Sequence, residues 1–166
     1  MPPGFPWMRA TIEQTNPIFQ PIAGLSHLGL AAIAYQGNTL DEAAQQARMG
    51  LKSGQAWIYV KGLLSGYFLL SLIYLAQRSQ IDPHQPLEEA EPFIRKSGLL
   101  PMRRRWWAMK VRIALAENDI SLADSWLQQM DLPLHGQPGY EDEFEYFTLV
   151  QLRIAQGRSS EVIALL

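Results

Sequence analysis

The chain has no cysteine among its 166 residues. This absence excludes disulfide bonds, a cysteine-ligated zinc site and a thiol nucleophile, and it is typical of a cytoplasmic protein. The chain also has no large excess of charge of either sign, since 14 basic and 16 acidic residues give a formal net charge of −2. A broad basic surface is therefore excluded. We predict a cytoplasmic segment that makes no direct contact with nucleic acid.

Export and membrane signals are also missing. Residues 1–6 have neither the basic start nor the apolar run of a signal peptide. Residues 57–75 approach the length of a membrane span and contain Lys61 as their only charged residue. However, Lys61, Ser65 and Ser71 favour an inner helix that is packed on all sides. We predict that the chain does not enter a membrane.

Catalytic and cofactor-binding patterns are not found either. The sequence contains no Gly-rich phosphate-binding loop and no nucleophile-elbow motif. His27, His84 and His135 are far apart in the sequence and lack ligand partners at helical spacing, so we predict no metal site and no cofactor. Neighbouring carboxylates such as Asp41 and Glu42 diverge on a helix. We predict that the chain is not an enzyme.

A short turn sequence, by contrast, recurs along the chain. Asn38, Asn118 and Gly157 each follow an apolar helical run and precede a new helix. Their spacing indicates a repeat of about 40 residues, with a less distinct copy near Arg78. The sequence Lys-Ser-Gly at 52–54 and 96–98 recurs at a similar interval. A period of this size predicts a solenoid of helix pairs, in which each pair buries its apolar face against its neighbours.

The predicted organisation has two parts. Residues 1–20 contain four prolines and form an irregular lead-in. Residues 21–166 form about four helix pairs, and Pro92 should kink or shorten the second helix of the second pair. Because the apolar residues from Val162 to Leu166 would leave an edge uncovered, we expect a longer solenoid, with self-association as an alternative.

The run from Arg103 to Trp107 has two interpretations. Arginine and tryptophan together could bind an anion or stack on a base. Five consecutive helical residues point in all directions, however. We therefore predict that Trp106 enters the core with Met109 and Ile113, and that two of the arginines are solvated.

Three blocks of the sequence resemble a known family. They are residues 24–44, residues 114–127 and, most closely, residues 143–158 with the helix that follows. All three are similar to the tetratricopeptide-like (TPR-like) region of MalT-type regulators of the LuxR family. The resemblance implies an all-α, right-handed superhelix that serves as the sensor and interaction segment of an ATP-dependent transcriptional regulator. No ATP-binding loop and no DNA-binding helix pair occur here, so those functions would belong to other parts.

The resemblance also indicates where binding would occur. First helices of the pairs line the concave face of such superhelices, where a small effector or a protein partner would bind. The candidate residues are His27, Tyr35, Tyr59, Tyr67, Tyr74, Arg103, Trp107 and Tyr146. The alternative is that most of these side chains pack between neighbouring pairs. A second functional hypothesis is a stand-alone scaffold or adaptor that binds a protein segment.

Overall fold

A computed structural model describes residues 20–54, 60–78, 80–132 and 142–163. All regular structure in these ranges is helical, and it consists of eight helices in four consecutive pairs. The prediction of an all-α fold with about four helix pairs is confirmed. The helices are α1 (Gln20–Gln36), α2 (Leu40–Gly54), α3 (Val60–Gln77), α4 (Gln85–Ser97), α5 (Leu100–Ala116), α6 (Ile120–Gln129), α7 (Glu143–Ala155) and α8 (Ser159–Ile163).

The first helix of each pair ends at a residue with left-handed backbone geometry. Asn38, Arg78, Asn118 and Gly157 have φ angles of 56°, 48°, 61° and 73°. They follow one another at intervals of 40, 40 and 39 residues. The predicted repeat is therefore confirmed, including the copy at Arg78. Asn and Gly are the residues that tolerate this geometry best. The turn at Arg78 has neither residue at this position, so it is the hardest of the four to recognise in the sequence.

The third turn shows how this geometry ends a helix. The N–H of Asn118 donates to the carbonyl of Leu115 at 3.0 Å, and the N–H of Asp119 donates to the carbonyl of Ala114 at 2.9 Å. These two bonds form a Schellman motif, which satisfies carbonyls that the end of a helix would leave unpaired. Equivalent bonds close the first and fourth turns.

In the first and third pairs, the residue after the left-handed position directly precedes the second helix, but the two residues act differently. Asp119 caps α6, because its carboxylate accepts the N–H of Leu122 at 2.9 Å. Thr39 precedes α2. Its hydroxyl donates to the carbonyl of Ala34 at 3.1 Å, at the end of α1.

The chain divides into two compact units, Met1–Phe93 and Ile94–Leu166. In the first unit α3 packs against both α1 and α2. Leu28 of α1 lies where these helices meet: a Cβ added to Gly50 would come within 2.8 Å of its Cγ, and one added to Gly66 within 2.8 Å of its Cδ2. Two glycines thus allow three helices to approach closely around one leucine side chain.

Helix α3 is the apolar segment that approached the length of a membrane span. Its buried side chains include Leu64, Ile73 and Ser71, all at most 1% exposed. No helix among the described residues has the length and apolar character to cross a membrane. The burial of α3 on several faces accounts for its composition.

The second unit repeats the packing of the first, since α7 packs against both α5 and α6. Val111, Ala114, Ala123 and Leu152 form the centre of its core. Trp106, Met109 and Ile113 are at most 5% exposed, as predicted. Of the three neighbouring arginines, however, only Arg103 is exposed, and the other two are half-buried.

Matching side-chain contacts link successive pairs. Gln77, just before the left-handed Arg78, donates to the carboxylate of Asp41 on α2 at 2.8 Å. Gln156, just before the left-handed Gly157, donates to the carboxylate of Asp124 on α6 at 2.7 Å. Each amide therefore ties the end of a first helix to the second helix of the pair before it.

Proline is tolerated inside α4. The helix begins at Gln85, seven residues before Pro92, and runs through Pro92 without interruption. Pro86 lies in the first turn, where a missing N–H has no intrahelical partner to lose. The prediction that Pro92 would shorten the start of the helix is therefore wrong.

Candidate functional site

The candidate binding residues of the first unit are mainly packed between helices. His27 is 5% exposed, and its Nδ1 donates to Oε1 of Gln46 at 2.7 Å, which joins α1 to α2. Tyr74 is 6% exposed, and its hydroxyl accepts a hydrogen bond from Nε of Arg48 at 3.0 Å. These side chains hold neighbouring helices together.

Tyr67 is also buried, and its ring stacks on Phe93 with 6.3 Å between the ring centroids. Tyr35 is half-buried near the end of α1. Tyr59 lies outside the described residues. Among the candidates of the first unit that the structure describes, Tyr35 is therefore the one that keeps substantial exposure to solvent. A binding role for these candidates stays a prediction.

In the second unit, Trp107 belongs to a cluster around a buried lysine. Lys110 is 7% exposed, and its Nζ lies 5.0, 5.5 and 4.4 Å from the ring centroids of Trp106, Trp107 and Trp126. Three electron-rich ring faces around one ammonium form a cation–π site. Lys110 was not among the predicted site residues, although its spacing of three and four residues from Trp107 and Trp106 places it on the same helix face.

Two arginines on α5 flank one aromatic ring on α7. The guanidinium carbons of Arg105 and Arg112 lie 4.9 and 4.3 Å from the ring centroid of Phe144. Arg105 also pairs with Glu145, whose side chain is 3% exposed, through a 2.9 Å contact from Nε to Oε1. A second bond, from Nη2 to Oε2 at 3.3 Å, makes the pair bidentate.

Arg112 is bound differently. Its Nε donates to Oε1 of Gln151 at 3.1 Å, and no carboxylate of the described residues forms an ion pair with it. Burial lowers the pKa of Arg112, because loss of water disfavours the charged form. The sequence pattern indicated Arg105 only as part of the run from Arg103 to Trp107 and gave no signal for Arg112 or Glu145, since pairing between α5 and α7 depends on tertiary packing.

The other two candidates of this unit differ in exposure. Arg103 is exposed at the start of α5, and Tyr146 is half-buried on α7. They lie on helices that pack against one another. A common binding role for Arg103, Trp107 and Tyr146 stays a prediction.

A cavity of about 360 Å³ lies between α6 and α7. Its size is within the range of small-molecule sites. Its wall contains charged and polar side chains together with three leucines. The lining residues are Asp124, Leu127, Gln128, Asp131, Leu132, Leu149, Arg153 and Arg158.

The arginines of this cavity already have partners. Arg153 donates to Oε1 of Gln156 at 2.8 Å and lies 3.9 Å from Asp124 and 3.6 Å from Glu161. Arg158 pairs with Glu161 at 2.6 Å. Because the charges are largely compensated, the cavity is suited to a neutral polar or zwitterionic ligand rather than to a strong anion.

Metal binding has no structural support in the described ranges. No group of three or more His, Asp or Glu side chains in them could hold a metal ion. His27 and His84 lie on different elements, and His135 is outside the described residues. The charged groups of the cavity are arranged for hydrogen bonding.

The described residues form four helix pairs with a left-handed turn about every 40 residues. Helices α3 and α7 each pack on the pair before them. These features define a tandem α-helical repeat. Residues 8–166 match the model of the MalT-like TPR region. The chain belongs to this family, as the resemblance in its turns implied. Neither the search of curated proteins nor the search of solved structures found a significant match.

Proposed function

We propose that the chain is the non-catalytic sensing and protein-interaction region of a MalT-like transcriptional regulator. The observation that carries this proposal is the family match over residues 8–166. A stack of helix pairs offers an extended surface for ligands. The proposal assigns ATP binding and DNA binding to other parts of the regulator.

The cavity between α6 and α7 is the proposed effector site. It joins the third helix pair to the fourth, so a ligand in it would contact both. Asp131 and Arg158 are its exposed charged groups. A small polar effector, such as a sugar, would hydrogen-bond to these groups and pack against the leucines. Within each unit, the candidates of the first helices that keep some exposure are proposed to bind protein partners: Tyr35 in the first unit, and Arg103, Trp107 and Tyr146 in the second.

The proposed mechanism is a change in packing between helix pairs. An effector that binds one arrangement of α6 and α7 more tightly stabilises that arrangement by its difference in affinity. The altered packing changes how the full regulator associates with itself.

Thermal unfolding of the 166-residue chain tests the proposal. Sugars, other small metabolites and helical and extended peptides are screened for an increase in the unfolding temperature. A ligand at 100 times its Kd adds about 2.7 kcal/mol. For a chain of this size, that corresponds to roughly 5–10 °C. If no ligand in a broad screen raises the unfolding temperature, the proposal is contradicted.

Matched variants locate an effector that responds. Asp131→Asn suits the left-handed φ of 49° at this position and removes one charge of the cavity. Arg158→Gln removes another. Both variants are expected to abolish the temperature increase, whereas Arg95→Gln, an exposed change on α4, should preserve it. An increase unchanged by the two cavity variants would place the effector elsewhere.

The adaptor hypothesis is tested at the level of the gene. An ATP-binding module before this segment and a helix-turn-helix domain after it, in one reading frame, support the regulator. A reading frame without either domain supports a stand-alone scaffold.

A further inference from the structure

Helix α7 presents two large apolar side chains to solvent. Phe147 is 53% exposed and Ile154 is 56% exposed. They are seven residues apart and therefore lie on the same face, about 10 Å from each other along the helix axis. Gln151 is exposed between them. The opposite face is buried through Leu149 and Leu152, so α7 is apolar on two sides. Phe147, Gln151 and Ile154 are called the α7 stripe below.

A cation that forms no ion pair with the described residues lies beside this stripe. Arg112 is half-buried, stacks on Phe144 and uses its Nε on Gln151. No carboxylate of the described residues pairs with it. Its two terminal nitrogens retain N–H donors, because a guanidinium carries five. Because Arg112 is only half-buried, part of its side chain is accessible to solvent.

Arg105 provides an internal comparison. It stacks on the same Phe144 ring, but a bidentate contact to Glu145 neutralises it. Arg112 has the same type of environment, but no carboxylate in the described ranges pairs with it. Since partly buried arginines are usually paired, the missing charge indicates where a partner's carboxylate would bind.

We propose that the α7 stripe and Arg112 bind an amphipathic helix of another protein, with an Asp or Glu of that helix paired to Arg112. The proposal rests on the proposed function and names the partner's chemistry. Apolar side chains at i and i+7 of a partner helix match the spacing of Phe147 and Ile154. The partner's carboxylate would then lie opposite Gln151 and receive two hydrogen bonds from Arg112.

Other occupants fit this surface less well. A small molecule would be poorly enclosed, because the two apolar side chains stand about 10 Å apart on an open face. Nucleic acid needs several cations, whereas Arg112 lies beside a helix that begins with Glu143 and is preceded by Asp142. A helical protein segment with apolar and acidic residues could pack on the apolar side chains of the α7 stripe and also pair with Arg112.

The test uses the 166-residue chain and a displayed library of helical 16-residue peptides. We expect the selected peptides to share two apolar positions seven residues apart and an acidic residue between them. Affinities are measured by fluorescence anisotropy for each peptide and for its Gln-substituted form. Arg112→Gln should weaken binding of the acidic peptide at least tenfold. It should have little effect on the Gln form, so that the two substitutions are coupled.

Two further variants keep the result interpretable. Gln151→Glu places a carboxylate beside Arg112 within the chain, and we expect it to preserve folding but abolish binding of the acidic peptide. Phe147→Ser should also weaken binding, whereas the surface change Arg95→Gln should not. Circular dichroism verifies that each variant is folded.

The proposal is overturned if Arg112 and the peptide carboxylate show no coupling, or if Phe147→Ser and Gln151→Glu leave binding unchanged. It is also overturned if sedimentation shows that the stripe joins two copies of the chain. When no helical peptide binds but the screen described above finds an effector, this inference fails and the proposed function stands. When neither experiment finds a ligand, both fail.

Discussion

Asn38 and Asn118 adopt the same backbone geometry in two turns that are 80 residues apart in the sequence. Their φ angles are 56° and 61°, and each N–H donates to the carbonyl three residues earlier at 3.0 Å. Ordinary side chains meet the following carbonyl in this conformation, whereas Asn tolerates it and Gly is unhindered. The turns of the repeat therefore depend on residue type.

Substitution at Asn118 tests this dependence. We expect Asn118→Ala to lower the free energy of unfolding by about 1 kcal/mol, and Asn118→Gly to leave it within about 0.5 kcal/mol of the original. Urea denaturation followed by circular dichroism measures both changes. Arg95→Ala, an exposed substitution on α4, is the control and should have little effect. Equal loss in the Ala and Gly variants would contradict the backbone explanation.

The second prediction concerns the close contact of Leu28 with Gly66. A Cβ at Gly66 would lie 2.8 Å from Cδ2 of Leu28 and 3.0 Å from Cδ2 of Leu51. Gly66→Ala should therefore lower the free energy of unfolding by about 1–3 kcal/mol, because the core has no space for the methyl group. Gly37→Ala is the matched control: its nearest contact would be 3.4 Å, so we expect a change near zero. Equal effects of the two substitutions would contradict the packing explanation.

Local sequence features predicted the fold because they act over a few residues. The left-handed positions at Asn38, Asn118 and Gly157 follow from residue type, and the burial of Trp106 follows from helical periodicity. Even the copy at Arg78 was predictable from the period alone.

The charged contacts of the candidate site could not be predicted in this way. Glu145 and Arg105 are 40 residues apart, and their pairing depends on how α5 packs on α7. The buried Lys110 likewise depends on Trp126, which α6 supplies. A single sequence shows neither contact, because the residue types alone do not specify which helix faces which.

The third prediction addresses the Arg105–Glu145 pair. Arg105→Ala leaves the carboxylate of Glu145 buried without its partner, and we expect a loss of about 2–4 kcal/mol in the free energy of unfolding. Arg103→Ala, on the same helix but exposed, should change it by less than about 0.5 kcal/mol. The single variant Glu145→Ala and the double variant Arg105→Ala with Glu145→Ala complete a mutant cycle. If the two single losses simply add, the pair makes no direct contribution to stability.

The last prediction concerns Lys110, which lies among three tryptophan rings at 4.4–5.5 Å. Lys110→Met keeps an unbranched side chain of similar length but removes the charge. If the ammonium were only tolerated in this position, an apolar replacement would raise stability, because burial of an unneeded charge is costly. If the ring faces hold it, the same change should lower the free energy of unfolding by about 1–2 kcal/mol. Urea denaturation distinguishes the two cases by the sign of the change, and Lys96→Met, an exposed substitution on α4, corrects for the general effect of replacing lysine by methionine. We expect a loss, because Lys110 is 7% exposed and its charge lies within cation–π distance of all three rings.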